Sequence, residues 1–409
     1  MPFRTAISGM RAAQTQLETI GHNIANANTI GFKQQRAEFA DIYALSQTGI
    51  AQNTPGNGVA VAQITQQFGQ GNLSVTDNVL DLAIDGEGFF TLDDGGSRVY
   101  SRSGAFGLDS EGYIVNAQNQ KLITYQTDSN NNLTGAFGPL QLTTKFTSPK
   151  ATANVELDFN LNSDAAVIGV AGDPIDPANS ATYTSSTSTT VYDSLGNPHL
   201  ANLYFAKRPP AASGNNIWEV QLTLDNTPAG TLQTLEFDTA GSLLAPASGQ
   251  FNIGPITVAG ANDLNLNFDV SNAKQFGSPF AVSKLTQDGY TTGRLSGIDI
   301  DSKGVIFARF TNGQSQIQGQ VVLAQFQNLQ GLQQMGDNAW AETFSSGQAL
   351  LSAPGSSDLG LVKSGALEDS NVDLTEQLVD MIVAQRNFQA NAQVITTADS
   401  ITQTVINIR

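Results

Sequence analysis

Apolar residues near the start of the chain, Phe3, Ile7, Met10, Leu17, Ile20 and Ile24, recur at spacings of three, four and seven. That spacing gathers them on one face of an α-helix, a single apolar stripe on a polar cylinder. The pattern stops at the turn-rich stretch Asn26-Ala27-Asn28-Thr29-Ile30-Gly31. At the other end, Asp373-Leu374-Thr375-Glu376 has the form of a capping box, with a carboxylate three residues after the N-cap acceptor. Leu378, Met381, Ile382, Phe388, Ile395, Ile401, Val405 and Ile408 follow at helical spacing, and neither Gly nor Pro interrupts Val372 to Arg409. At 1.5 Å per residue this helix is roughly 55 Å long, more than a compact domain covers. Its apolar seam needs a partner helix, and the N-terminal stripe matches it. An ordinary amphipathic helix packed on its own domain is the competing reading, and complementary seams at both termini favour the pair.

Between the helices the period changes to two. Val155, Leu157, Phe159 and Leu161 alternate with Glu156, Asp158 and Asn160, the signature of a half-buried strand. Trp218-Val220-Leu222-Leu224 and Leu264-Leu266-Phe268-Val270 alternate in the same way. Turn tetrads separate short β runs: Asp93-Asp94-Gly95-Gly96, Asp109-Ser110-Glu111-Gly112, Asp301-Ser302-Lys303-Gly304 and Thr311-Asn312-Gly313-Gln314. Residues 106–115 and 298–307 echo each other on either side of the middle. The expected fold is α+β and mostly β, with long terminal helices forming a coiled-coil core and two nested β-rich domains. The expected boundaries are a helical domain of 1–28 with 372–409, and a connecting segment of 29–75 with 345–371. Inside these come an inner β-domain of 76–145 with 285–344 and an inserted outer β-domain of 146–284. The Thr/Ser run Ser185 to Thr190 and the Pro-rich Lys207 to Pro210 read as loops.

Composition narrows the function. Of 409 residues 40% are hydrophobic, enough for several cores, but only 13% are charged, about half the usual share. The net charge of −17 argues against nucleic acid, which needs a basic stripe, and against an anionic membrane surface. With no cysteine there is no disulfide, thiolate metal site or thiol nucleophile. No run of about 18 apolar residues is present to cross a bilayer as a helix, so no membrane insertion is expected. Met1 to Thr15 lacks the apolar core of a cleavable signal peptide, so export is expected by a route that needs none.

Candidate chemistry is sparse. The two histidines, His22 and His199, have no paired ligand or nucleophile motif around them and read as structural. Asp299-x-Asp301-x-x-Gly304 has part of a calcium loop but lacks the remaining oxygen ligands, and a hairpin turn explains it better. Gly86-x-Gly88 precedes β-type residues rather than a helix that could hold phosphate. No catalytic, metal or cofactor residue is therefore expected, and no enzyme. The C-terminal helix carries few charges and many amides and hydroxyls, among them Gln385, Gln389, Gln393 and Thr397. Such a face suits a crowded assembly or the wall of a wet channel, where unpaired charge is costly.

The residues then resemble a known family, the axial proteins of the bacterial flagellum (rod, hook and hook-associated). One matching block runs from Ser8-Gly9-Met10 through Asn23-Ile24-Ala25-Asn26-Ala27-Asn28-Thr29-Ile30-Gly31-Phe32-Lys33. Further blocks are Leu80 to Phe90, Tyr100 to Phe106, Gly365 to Leu374 with Ser370-Asn371-Val372, and Met381 to Ala392 with Gln385-Arg386. Val191-Tyr192-Asp193-Ser194-Leu195-Gly196-Asn197-Pro198-His199 is similar to the outer-domain signature of the hook members. The resemblance implies a self-assembling helical homopolymer, a flexible tube that acts as a universal joint between rod and filament. It also implies a polymer-core seam built from Ile7, Met10, Leu17, Ile24, Leu378, Met381, Ile382, Phe388, Ile395, Ile401, Val405 and Ile408. Implied partners are other copies of the chain, the distal-rod protein, the hook–filament junction protein, the hook cap and the flagellar type III export apparatus. The implied location is extracellular, at the hook. A large distal-rod subunit is the alternative within the family; a β-rich adhesin and a secreted hydrolase are the rivals from other classes.

Overall fold

The computed structural model describes residues 2–42, 56–128, 131–142, 146–210, 212–356 and 358–407. The chain forms two compact units. The first comprises Met1–Thr144, Gly297–Arg309 and Ser315–Arg409, and the second Lys145–Ser296 with Phe310–Gln314.

The first unit holds both long helices, α1 (Pro2–Ala25) and α2 (Leu374–Asn407). Asp373 caps α2 as its sequence requires: its Oδ1 accepts from the N–H groups of Thr375 and Glu376 at 2.7 and 3.2 Å. In the unit's large sheet, strands from before the inserted segment sit between strands that follow it. Its central run is Ser315–Val321, Lys121–Thr127, Phe89–Asp94, Ser97–Ser101, Ala339–Ala341 and Gln333–Gly336. Residues nearly two hundred positions apart, such as Gln126 and Gly319, are therefore ladder partners. Leu82, Ile84, Phe90, Leu92, Leu122, Ile306, Val321 and Leu323 form the core beneath the sheet. A second cluster packs edge to face: Phe89 on Trp340 and Tyr100 on Phe326, with centroids 5.5 and 4.8 Å apart.

The two echoing segments share one turn. Asp109 Oδ1 accepts from the N–H of Glu111 and of Tyr113, both at 2.8 Å, and Asp301 Oδ1 from Lys303 and Val305 at 2.9 and 2.8 Å. Gly112 and Gly304 close these turns at φ 88° and 71°, which a side chain disfavours. The Asp301 carboxylate is thus a turn acceptor, which accounts for the calcium-like spacing around it.

In the second unit two five-stranded sheets close over one core. One is a meander of Ser185–Tyr192, Pro198–Arg208, Asn216–Leu224, Thr227–Phe237 and Leu243–Ala245. The other contains Gln250–Ile256, Leu264–Asp269, Asn154–Asn162, Lys274–Phe276 and Ala281–Gln287. Trp218, Phe205, Phe237 and Phe268 are fully buried between them. Ser185 to Thr190 is a correction to the sequence reading: it is an edge strand in continuous register with Pro198–Arg208, not a loop. Lys207 and Arg208 likewise end a strand. β-Branched threonines suit a pleated surface, and the neighbouring strand supplies the ladder that composition alone does not reveal.

Candidate functional site

The two helices run antiparallel. The Asn23 side chain donates to Gln377 Oε1 at 2.9 Å, buried, and Asn391 lies so close to Gly9 that a Cβ there meets its Oδ1 at 2.6 Å. These contacts lie fourteen residues apart on both helices, in opposite directions, so one register holds along the pair. The buried stripe on α1 is Ala6, Ala13, Ile20 and Asn23, and on α2 it is Gln377, Ala384 and Ala398. Ala6 and Ala13 on one helix, and Gln377, Ala384 and Ala398 on the other, fall at multiples of seven. Their small or amide side chains let the backbones approach closely and fix the register by hydrogen bond and notch.

Within one chain the helices therefore meet mainly through small and amide residues together with Ile20, and most other large apolar residues of the expected seam lie at the flanks or in solvent. Of the expected seam, Met10, Leu17, Ile24, Met381 and Ile395 are half-buried at its flanks. Ile7, Leu378, Ile382, Phe388 and Ile401 are exposed. The Val405 side chain and Ile408 lie outside the described residues. Beside Ile401, which the expected seam contained, sequence reading missed Val379, Val383 and Val394 on the same side of α2. Val379, Val383, Val394 and Ile401, at spacings of four, eleven and seven, all expose 45% or more along one side of the helix. Ala390, between them, lines with Val394, Thr397, Ile401 and Phe3 a shallow apolar groove beside the start of α1. The signal was present in the sequence, but two stripes on one helix overlap into a single three-four pattern.

The family-motif residues gather at the root of the hairpin. Asn23 also donates to the carbonyl of Gln35 and accepts from its N–H, at 2.8 and 2.9 Å. Asn371 mirrors it, accepting from Gln34 N–H at 2.8 Å and donating to the carbonyls of Gln67 and Gly69. Thr29 donates to Asn26 Oδ1, Asn26 donates to the His22 carbonyl, and the His22 ring meets buried Phe32 edge-on at 5.5 Å. Gly31 N–H donates to the Glu368 carbonyl at 2.8 Å. Ser370 Oγ accepts from Val372 N–H, while Ala25, Gln385 and Arg386 are exposed.

Beneath these residues is an ionic triad that sequence reading did not find. Glu368 bonds Lys33 at 2.6 Å and Arg102 at 3.1 Å, and the three side chains are 0, 0 and 5% exposed. Lys33 also donates to the Gly69 carbonyl, Arg102 to that of Gly86, and Glu368 accepts from Gly71 N–H. Burial pushes the pKa of Lys33 and of Arg102 down, and the Glu368 carboxylate opposes the fall in each. Lys33 follows α1 in the chain and Glu368 precedes α2, so the triad ties both helix roots to the β-structure of this unit. In the second unit His199 is a structural residue of the same kind. Its Nδ1 donates to Asp225 at 2.7 Å and its Nε2 faces Asp193 at 3.5 Å.

A mostly β chain whose terminal helices pair and leave apolar stripes uncovered belongs to a class of structural subunits built for assembly, the axial proteins of the flagellum. Residues 3–33 match the family described as flagella basal body rod protein, and 363–408 the flagellar basal body rod FlgEFG protein C-terminal family. Residues 83–158 match the flagellar hook protein FlgE/F/G D1 domain, and 160–290 the flagellar basal body protein FlaE D2 domain. The chain is 40% identical to the flagellar hook protein FlgE of Escherichia coli strain K12, with 100% of each chain covered. It is 32% identical to that of Borreliella burgdorferi, covering 99% of this chain and 98% of the relative. The crystal structure of Helicobacter pylori flagellar hook protein FlgE2 is similar in fold, with a TM-score of 0.56 over 72% of this chain and 100% of that one, at 14% identity. The chain belongs to the flagellar hook protein family and is a structural subunit of the bacterial flagellar hook.

Proposed function

We propose that the uncovered stripe of α2, with the groove beside Phe3, is where the terminal helices of neighbouring copies dock to build the hook tube. The supporting observation is the outward line of Val379, Val383, Val394 and Ile401, large apolar side chains left in water by the chain's own fold. Each, once covered, contributes roughly 1.5–3 kcal/mol, and repetition along a lattice multiplies a contact that is weak alone. The amide face of α2 (Gln385, Gln389, Gln393) is then free to line the channel. Firm helix contacts at the core with looser ones among outer β-units make a tube that bends while passing torque, a universal joint between rod and filament. Such a subunit meets the distal-rod protein at one end and the junction protein at the other. It grows under a cap, and it leaves the cell through the flagellar export apparatus to an extracellular position.

Negative-stain electron microscopy of the purified chain beside Val394→Glu tests the docking surface. Tubes from the parent and none from a variant of unchanged helical content are expected. Tubes from both place the driving contact elsewhere and overturn the reading.

A further inference from the structure

In the second unit the segment from Ser163 to Asp176 is held in an unusual way. Arg208 and Glu219, on adjacent strands, pair at 2.6 Å with side chains 1% and 6% exposed. A buried ion pair is stable only when its remaining donors and acceptors are also satisfied, and here the loop satisfies them. The Arg208 guanidinium donates to the carbonyls of Ile168 and Asp173, and Glu219 accepts from the N–H of Gly172. Lys207 donates to the carbonyls of Ser163 and Ala165, and Asp173 accepts from the N–H of Val170.

All these ties are to main chain. The side chains from Ala165 to Gly172 include no polar group, yet Val167 and Val170 are 50% and 59% exposed, with Ala166 and Ala171 exposed beside them. Just after, Ile175 turns inward and is 4% exposed. The backbone is thus fastened by buried charge while two stiff β-branched side chains are held out in water. Such a surface loses little conformational entropy when it is covered.

We propose that Val167 and Val170 form a preorganised contact with the outer β-unit of a second copy of this chain in the assembled hook. The proposal rests on the hook-polymer reading above. Patch size selects the partner: two valines and two alanines fall far short of the ~1,200 Å² at the low end of stable interfaces between free proteins. They suffice only for a neighbour already held in place, as other copies are once the terminal helices are packed. Asp164, Asp173 and Asp176 in the same loop, with no basic residue among them, disfavour an anionic membrane.

The chain has no cysteine, so a single thiol reports on its own position. Hooks isolated from cells carrying Val170→Cys, and the free chain, are treated with a maleimide; Ala259→Cys, in an exposed turn of the same unit, is the control. Labelling of the Val170→Cys thiol is expected to slow by roughly tenfold on assembly, the protection of a contact open about a tenth of the time, with a smaller change at the control. A benzophenone maleimide at the same thiol is expected to cross-link to residues 146–296 of another copy. Equal labelling in both states, equal slowing at both positions, or adducts only to lipid or another protein overturns the proposal. Absence of hooks from cells carrying the parent chain is a separate result, which sinks the polymer reading.

Discussion

Glu368 shows how one residue organises a region. Its two oxygens meet two cations and a backbone N–H in a site closed to water, where removing one member strands charge. Lys33→Met is expected to destabilise the first unit by about 3–5 kcal/mol, whereas Lys33→Met, Arg102→Met and Glu368→Leu together recover most of that loss. Urea unfolding midpoints decide it, and equal losses for the single and triple variants refute the ionic account. His199 yields a pH dependence. Its hydrogen bond to Asp225 raises its pKa above the ordinary 6.5, against partial burial, and Asp193 adds to the rise. A raised folded-state pKa adds stability that is fully present below pH 6.5 and is lost as pH climbs through the raised value. The melting temperature of the second unit is thus expected to fall between pH 6 and 8.5, and His199→Gln to flatten that slope. An unchanged slope in the variant removes His199 from the explanation. Neither site was legible beforehand, because Lys33, Arg102 and Glu368 converge only in three dimensions, as do His199 and Asp225. Asn23 and Asn371 stood out as motif residues, but their shared task of clamping Gln34 and Gln35 did not.

At the scale of elements, both helices were readable from period and capping, and the hairpins from their turn chemistry. The face each helix presents was not. A three-four apolar pattern predicts a seam of large side chains, whereas the stripe buried within one chain is Ala6, Ala13, Ile20, Gln377, Ala384 and Ala398 with the Gly9 notch. Close packing of backbones favours the smallest side chains, and most large ones are displaced to the flanks or to solvent. Gly9→Val drives a side chain into Asn391 and is expected to cost about 1–3 kcal/mol by overpacking, seen as earlier loss of helical circular dichroism on heating. Gly9→Ala with Asn391→Ala relieves most of the strain that Gly9→Ala causes alone. Additive losses in the pair mean that the two residues do not share one contact.

For the whole molecule, α2 is the longer helix, and by the register of the pair its last turns extend beyond the start of α1. Ile401 and Ile406, 60% and 67% exposed, lie on that overhang. Covering them requires a further helix, so amide exchange along residues 399–407 is expected to be fast in the free chain and slow in the polymer. Equal protection in both states breaks the link between these stripes and assembly.

Local pattern determined the type and approximate extent of both helices, the alternating strands and the turns that join them, because helical period, pleat and turn chemistry act over a few residues. Charge and the missing cysteines removed several chemistries, and the blocks at both ends indicated the family. Tertiary structure alone decided which strands from the two halves become neighbours, that Ser185–Tyr192 joins a sheet, which of two stripes on α2 pairs within the chain, and where Glu368 finds its cations. Each of those depends on contacts between residues far apart in the chain, where the competing partners differ in fit rather than in kind.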